Sequence, residues 1–214
     1  MSELNSEIIE IIRKAGIFAY PIILCSIVGL SIFLQKMWIL RTNRILPDIF
    51  LDRLYTYLSK NKFSEALNLA TLNNSSIARI AYAALQKNGS SKEQIKESME
   101  GAGRREAGEL SRYIEGLATI SNVSTLLGLL GTISGMIKIF SVISENTIVD
   151  PSSLAGGISE ALYTTAFGLL VAIPAFIAYK YLVGRSDEFV NELEDESKRI
   201  MEEMSMPPPA QSED

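Results

Sequence analysis

The chain has 214 residues, enough for one domain or one small membrane protein. Hydrophobic residues make up 47% of it and its mean hydropathy is +0.18, but charged residues are nearly absent from three long windows and dense elsewhere, as in a polytopic membrane protein. The net charge of −5 argues against a nucleic-acid partner, and the lack of histidine excludes a histidine triad, a histidine metal site and an imidazole proton relay.

The N-terminal residues 1–15 have the pattern of a short amphipathic helix. Isoleucines lie on one helical face and charged residues lie elsewhere, which predicts a segment in the membrane interface. A simple extension of the first membrane helix fits the same residues equally well. The isoleucines are Ile8, Ile9, Ile11 and Ile12, and the charged residues are Glu7, Glu10 and Arg13.

Three apolar windows follow in the chain, at residues 17–34, 117–143 and 162–182. Each has about the length that a helix needs to cross a hydrocarbon core of about 30 Å, and each is too long for a barrel strand. We therefore predict an all-α polytopic membrane protein with transmembrane helices at 16–40, 117–143 and 159–183. A cleaved signal peptide does not fit the first window, because Lys36-Met37-Trp38 is typical of an interfacial stop.

The region between the first two windows, residues 41–116, is predicted to form amphipathic cytoplasmic helices that extend the membrane bundle. Asn73-Asn74-Ser75 and Asn88-Gly89-Ser90 divide it into separate helices. We expect a periplasmic loop at 144–158.

The C-terminal part of the chain is charged and contains a proline run. Residues 184–204 favour a cytoplasmic helix, and Pro207-Pro208-Pro209 lies in a predicted disordered tail at 205–214.

Basic residues indicate the orientation in the membrane. Most of the Lys and Arg residues lie between the first two windows, and residues 144–159 contain none. The positive-inside rule therefore places the middle region and the C-terminus in the cytoplasm and the N-terminus outside. Arg13 and Lys14 argue the other way but are outnumbered.

Candidate catalytic residues are scarce. Cys25 is the single cysteine and lies within an apolar helix, where we expect an inert buried thiol. Gly128, Gly131 and Gly135 lie inside a predicted helix and do not form a phosphate-binding loop. We expect no enzyme, no metal site and no cofactor.

The second and third membrane helices each carry a stripe of small and hydroxyl residues at steps of three and four. Such stripes let membrane helices approach closely and let hydroxyls bond across the contact. We assign helix packing to Gly128, Gly131, Gly135, Gly168 and Ala172. The stripes are Ser121, Thr125, Gly128, Thr132 and Gly135, and Ala161, Thr165, Gly168, Ala172 and Ala175.

Threonines within these stripes are candidates for a polar path. At about 1.5 Å per residue, Thr132 lies roughly 16 Å and Thr165 roughly 10 Å from the outer helix ends, which are comparable depths in a hairpin. Thr125 and Thr164 lie near the same faces. Together these hydroxyls could line a narrow hydrated passage.

Two ionisable residues occupy the outward halves of the same helices. Lys138 is expected to snorkel to the headgroups. Glu160 heads its helix, and we interpret it either as a cation-attracting mouth or as a cap that favours the helix dipole.

Two segments carry a family resemblance. LLGLLGTISGMIKIF, residues 126–140, followed by DPSSLAGGISEALYTTAFGLLVAIPAFIAY, residues 150–179, resembles the signature of the MotA/TolQ/ExbB proton-channel family, above all its ExbB and TolQ branch. RKAGIFAYPIIL near the first helix and RREAGELSRYIEGLATISNVSTLLGLLG extend the similarity to nearly the whole chain apart from its tail.

The resemblance implies a bacterial inner-membrane motor subunit. Five such chains would form a ring around ExbD-like or TolR-like single-span partners, and a TonB-like or TolA-like protein would receive the energy. Thr132 and Thr165 match the channel-facing threonines of the family, and Glu160 matches its carboxylate. Two positions depart from the family pattern: Thr125 replaces a usual proline and Lys180 a common asparagine.

Other functions remain open at this point. A TolQ-type subunit for envelope integrity and a stator for surface motility would share these residues. A non-conducting membrane scaffold, in which the stripes only pack helices, is the alternative from a different class.

Overall fold

The computed structural model describes residues 16–145 and 150–205, and these form helices with no strand among them. The all-α class is therefore confirmed. The predicted amphipathic segment 1–15 and tail residues 206–214 lie outside the described residues. In chain order the helices are α1 Ala19–Ile39, α2 Thr42–Ile45, α3 Asp48–Ser59, α4 Phe63–Leu72, α5 Ser76–Leu85, α6 Lys92–Ser111, α7 Ile114–Glu145 and α8 Pro151–Ser205.

Three of these helices, α1, α7 and α8, contain segments long and apolar enough to cross a membrane. Their outward faces carry large aliphatic and aromatic side chains, which suits contact with lipid. Examples that are more than half exposed are Leu24, Leu30, Leu126, Ile137, Phe140, Leu162, Leu170 and Ile177.

The chain divides into two compact units. The membrane unit holds the residues up to Gln35 together with Tyr113–Tyr181. The charged unit holds Lys36–Arg112 together with the residues from Leu182 onward.

In the membrane unit, α1 packs against the first turns of α7. A Cβ atom added at Gly29 would lie 3.5 Å from the Ile120 side chain, and one at Gly116 would lie 3.3 Å from the Ile32 side chain. These distances leave little room for a larger residue. The two glycines therefore let α1 and α7 approach closely.

In the charged unit, short helices surround an aliphatic core, and helix caps set their boundaries. Ser75 caps α5 by accepting a hydrogen bond from the Ala78 N–H, and Ser91 with Gln94 forms a capping box at the start of α6. These caps follow the two predicted breaks, because serine satisfies N–H groups that a helix start leaves free. Fully buried core residues are Ile45, Leu54, Leu58, Ile77, Ile80, Leu182, Phe189 and Ile200.

Two buried polar contacts hold α6 in place. The Lys36 ammonium donates to the Glu109 and Leu110 carbonyls at 2.9 and 3.0 Å, so a cation sits at the carbonyl end of the helix, where the helix dipole favours it. The Arg79 guanidinium donates to the Glu106 carboxylate, which is only 7% exposed. This hydrogen bonding raises the pKa of Arg79, so the guanidinium stays charged.

Helix α8 begins earlier than the sequence suggested. It starts at Pro151, inside the stretch expected to be a loop at 144–158, and the Asp150 carboxylate accepts from the Ser152 N–H at 3.3 Å. Aspartate before proline is a strong helix start, since proline has no N–H to satisfy at the first position. The same helix continues without a break through residues 183 and 184, where two separate helices were expected.

Candidate functional site

Glycines bring α7 and α8 into backbone contact in the membrane unit. A Cβ atom at Gly128 would lie 3.3 Å from the Gly168 Cα, and one at Gly168 would lie 2.6 Å from the Ser124 carbonyl oxygen. Near the other end of the contact, a Cβ atom at Gly135 would lie 2.7 Å from the Ala161 Cβ. Small residues are thus required along this antiparallel contact.

Two hydroxyl groups bond across the same contact. Thr165 Oγ1 donates to the Gly128 carbonyl at 2.9 Å, and Ser121 Oγ donates to the Ala172 carbonyl at 2.9 Å. The Ala172 side chain is itself buried, with 4% exposed. The stripes therefore combine close backbone approach with hydrogen bonds between the two helices.

Thr125 and Thr132 bond instead to carbonyls of their own helix. Thr132 Oγ1 donates to the Leu129 carbonyl at 2.6 Å and Thr125 Oγ1 to the Ser121 carbonyl at 3.0 Å. Thr125 is exposed and Thr132 is half-buried, so both lie at the edge of the contact. Their hydroxyl oxygens keep lone pairs that can accept a hydrogen bond from water or from a partner side chain.

Thr132 and Thr165 lie at nearly the same depth. Gly131 meets Thr164 and Gly128 meets Thr165, which fixes the antiparallel register of the two helices. With a rise of about 1.5 Å per residue, this register places the two threonines less than one turn apart along the helix axis. Their hydroxyls form one polar level in an otherwise apolar unit.

Thr164 occupies a different place from the one assigned to it from the sequence. Its side chain is 1% exposed and packs against Gly131, and its hydroxyl donates to the Glu160 carbonyl at 2.8 Å. Because the side chain fills the space that Gly131 leaves, Thr164 lies within the helix contact. It does not line an open surface of this chain.

Ser124 is a buried hydroxyl that the sequence analysis missed. It is 0% exposed, and its Oγ has no hydrogen-bond partner among the described residues. The signal was present, because Ser124 lies three residues after Ser121 on the same helical face. The stripe on α7 is therefore more polar than the sequence analysis allowed.

Glu160 and Lys138 form an ion pair within their helices. Lys138 lies seven residues before α7 ends and Glu160 lies nine residues after α8 begins, so Glu160 does not head or cap its helix as one interpretation held. Lys138 Nζ lies 2.9 Å from Glu160 Oε1, and the two side chains are 59% and 32% exposed. The lysine therefore points to a carboxylate, whereas snorkelling to lipid headgroups was expected. Gly16, with φ of +69°, lies so close that a Cβ atom there would overlap the Glu160 carboxylate. Glu160 thus lies between α7 and Gly16, which is three residues before the start of α1.

The membrane-spanning stretches of α7 and α8 lack any carboxylate or basic group at mid-depth. No Asp, Glu, Lys or Arg occurs at residues 116–137 or 161–179. Hydroxyl groups can donate and accept hydrogen bonds in a chain of such bonds. They do not themselves carry a charge that changes when a proton binds or leaves. Among the described residues, no group of three His, Cys, Asp or Glu side chains could hold a metal ion.

Comparison with known proteins places the chain within one family. The family model described as the MotA/TolQ/ExbB proton channel family matches residues 72–195. A biopolymer transport protein of Synechocystis sp., described as ExbB-like, is 33% identical over 169 residues, which cover 76% of this chain and 78% of that protein. The Tol-Pal system protein TolQ of Haemophilus influenzae is 37% identical over 101 residues, covering 47% of this chain and 42% of TolQ.

One solved structure is similar in fold. The structure of C. jejuni MotAB aligns with a TM-score of 0.62 at 16% identity and covers 88% of this chain and 76% of that one. This similarity concerns the helical architecture alone.

Proposed function

Since the chain belongs to the MotA/TolQ/ExbB proton channel family, we propose that it is the ring-forming, ExbB-like subunit of a motor driven by the proton-motive force in a bacterial inner membrane. In this proposal five copies surround ExbD-like or TolR-like helices. The motor passes energy to a TonB-like or TolA-like protein that drives transport at the outer membrane.

The observation that carries this proposal is the polar level at Thr132 and Thr165. The two threonines lie less than one turn apart in depth on helices held together by backbone contact, and Thr165 is fixed by its bond to the Gly128 carbonyl. Hydroxyls in this arrangement can hydrate a passage without trapping a proton, as an ionisable group would.

The partner helix supplies the charge that this chain lacks. A carboxylate on that helix, placed at the level of Thr132 and Thr165, takes up a proton and becomes neutral, which removes a charge that is costly in lipid. Its contacts with the ring then change. Five subunits in the ring and two partner helices inside it cannot form the same contacts at every position. Repeated protonation of the partner helices therefore drives rotation of the ring relative to these helices.

In this proposal Glu160 lies at the outer entrance of the proton passage. Its carboxylate is paired with Lys138 at 2.9 Å and remains partly exposed, so it can attract cations while the lysine limits its net charge. Thr125 extends the polar stripe inward. Lys180 lies beyond the apolar stretch of α8, where it can affect proton release.

A TolQ-type role is the second candidate, favoured by the similarity to TolQ of H. influenzae. The same ring and the same threonines would then serve envelope integrity, and a stator for surface motility would use them in the same way. The identity of the partner gene separates these roles. A scaffold that only packs helices is the alternative that the next experiment excludes or supports.

The test is proton flux into liposomes that contain the chain and its single-span partner. We expect Thr132→Ala and Thr165→Ala each to lower the flux at least tenfold, and Thr165→Ser to retain most of it because the hydroxyl remains. Thr119→Ala is the matched control, since this threonine lies on the opposite face of α7 and bonds only to the Glu115 carbonyl. Undiminished flux in both alanine variants would overturn the role given to the two threonines, and a wild-type chain that conducts no protons with its partner would favour the scaffold.

A further inference from the structure

A cluster of arginines lies in the charged unit where α1 ends. Arg41 and Arg44 follow the last residue of α1, Ile39, by two and five positions, and both side chains are exposed. The Arg44 N–H donates to the Arg41 carbonyl at 2.9 Å, which keeps the two residues one turn apart. Within residues 16–145 and 150–205, neither guanidinium has an ion pair or a hydrogen bond to a side chain. Their N–H groups are therefore available to an anion.

Trp38, in the last turn of α1, positions one of these arginines. Arg44 Cζ lies 4.2 Å from the centroid of the Trp38 ring, and the indole is 56% exposed. A cation–π contact of this kind holds a guanidinium without using its N–H groups as donors. Tryptophan is enriched where membrane helices leave the apolar layer, at the level of the headgroups. Arg44 is therefore held at headgroup level with its donors free.

A third guanidinium comes from α8. Arg185 Nη2 donates to Thr42 Oγ1 at 3.4 Å, and Arg185 Nη1 pairs with the Glu188 carboxylate. Arg185 Cζ also lies 4.2 Å from the centroid of the Phe189 ring, so its position is fixed from two sides. Because the Thr42 oxygen accepts this hydrogen bond, the hydroxyl proton of Thr42 can be donated to an anion.

The charge of the cluster is positive. Among the described residues, Arg41, Arg44 and Arg185 have one ion pair in total, the one with Glu188. A guanidinium binds phosphate oxygens through two parallel N–H bonds, with a geometry that an ammonium lacks. Two unpaired guanidiniums and one hydroxyl are the donors that a phosphate group needs.

The surface of α1 that leads to the cluster favours a lipid as the carrier of this phosphate. Leu30 and Leu34 precede Trp38 by two turns and one turn on the same helical face, and each is 59% exposed. A free phosphate ion gains nothing from exposed leucines, whereas the acyl chains of a lipid cover them. An apolar face that ends in a cationic cluster matches an amphiphile.

We propose that Arg41, Thr42 and Arg44 bind the phosphate of one anionic phospholipid. Arg185 orients the threonine, and the Trp38 indole meets the glycerol region of the lipid. The acyl chains lie along the exposed leucines of α1. Clusters of arginine at the end of a membrane helix attract anionic headgroups, and the paired N–H bonds add a defined position to this attraction.

The site is separate from the proposed proton passage. None of its residues belongs to the polar level at Thr132 and Thr165, and lipid binding needs no partner subunit. The bound lipid would attach the junction between α1 and α2 to the membrane surface.

The test is lipid binding to the full chain, read by native mass spectrometry in mild detergent with equal amounts of phosphatidylglycerol and phosphatidylcholine. The wild type should retain phosphatidylglycerol in preference to phosphatidylcholine. Arg41→Gln with Arg44→Gln should lower the bound phosphatidylglycerol by about tenfold or more and leave phosphatidylcholine unchanged. A wild type that shows no preference would overturn the proposal.

The matched control is Arg104→Gln with Arg105→Gln, which removes the same charge from two exposed arginines of α6. This control should bind phosphatidylglycerol as the wild type does. Equal loss in the two double variants would replace the site by a diffuse attraction to the net charge. Arg41→Lys with Arg44→Lys keeps the charge but not the paired N–H bonds, so we expect a loss of several-fold. Full binding by this lysine variant would overturn the phosphate contact.

A melting curve separates loss of the site from loss of the fold. The side chains of Arg41 and Arg44 are exposed and unpaired among the described residues, so their glutamine variant should melt at the wild-type temperature without added lipid. Added phosphatidylglycerol should then raise the melting temperature of the wild type and not that of the variant, because a ligand stabilises only a chain that binds it. An equal rise in both would contradict the assignment.

Competition distinguishes a lipid from a free anion. Sodium phosphate or glycerophosphoglycerol, at the concentration of the lipid, should not displace bound phosphatidylglycerol. Displacement by either would show that the site takes the free anion. Proton flux is measured separately, so a chain that binds the lipid but conducts no protons with its partner would overturn the proposed function alone.

Discussion

At the scale of single residues, the polar contacts that hold each unit are non-local. Lys36 reaches carbonyls more than 70 positions away in sequence, and Tyr55 donates a hydrogen bond to Glu196. A charged or phenolic side chain on a helix can contact lipid headgroups, water or a residue distant in sequence. The neighbouring residues in the sequence do not show which of these three contacts it makes. The Lys138–Glu160 pair was missed for this reason.

Tyr55 gives a prediction for alkaline pH. Burial, followed by the hydrogen bond to Glu196, raises the pKa of Tyr55 above its usual value of about 10. The protonated phenol therefore stabilises the folded chain fully below about pH 10, and this contribution is lost as the pH rises above that value towards the folded pKa. Thermal unfolding between about pH 8 and about pH 11 should show a steeper loss of stability in the wild type than in Tyr55→Phe.

The control for this measurement is Tyr57→Phe, two residues further along the same helix. It removes a phenol without removing the contact to Glu196. Its stability should follow the wild-type curve above about pH 10. Parallel curves for the wild type and Tyr55→Phe would show that the pKa of Tyr55 is the same in the folded and the unfolded chain.

At the scale of helices, close packing of α7 on α8 depends on glycine. Gly168→Ala places a methyl group 2.6 Å from the Ser124 carbonyl oxygen, a backbone atom that cannot move without shifting its helix. We expect a loss of about 1–3 kcal/mol of stability, the usual cost of overpacking. A lower melting temperature in detergent would be the direct sign.

Gly184→Ala in the same helix is the matched control. Nothing lies within 4 Å of its added Cβ atom, so this substitution should be neutral or should stabilise the helix by up to about 1 kcal/mol. Equal destabilisation by both substitutions would mean that contact with α7 does not decide the result, since helix propensity alone favours alanine over glycine.

Helix boundaries show where local sequence signals were sufficient. The serine caps of α5 and α6 follow the predicted breaks, because capping depends on residues within one turn. The junction between α6 and α7 was less visible. Tyr113 has φ of +65° there, a left-handed conformation that bulky residues rarely adopt and that no local pattern announces.

At the scale of the whole molecule, the distribution of Lys and Arg predicts the orientation in the membrane. A fluorescent protein fused after residue 214 should fluoresce in the cytoplasm, and alkaline phosphatase inserted after residue 148 should be active in the periplasm. Phosphatase inserted after Asn88 should be inactive. The reverse pattern of activities would show that the chain has the opposite orientation in the membrane.

The sequence by itself determined the three apolar spans, the all-α class, the family and the stripes on α7 and α8. The spans, the class and the stripes follow from composition and from helical periodicity, which depend on neighbouring residues only. The family was indicated by the resemblance of the motifs at residues 126–140 and 150–179. Only the tertiary structure decided that Thr165 bonds across to Gly128 while Thr164 fills the space beside Gly131, that Lys138 pairs with Glu160, and that Arg185 meets Thr42 in the charged unit. Each of these depends on which faces of distant helices meet, and that is fixed by packing, not by the local pattern.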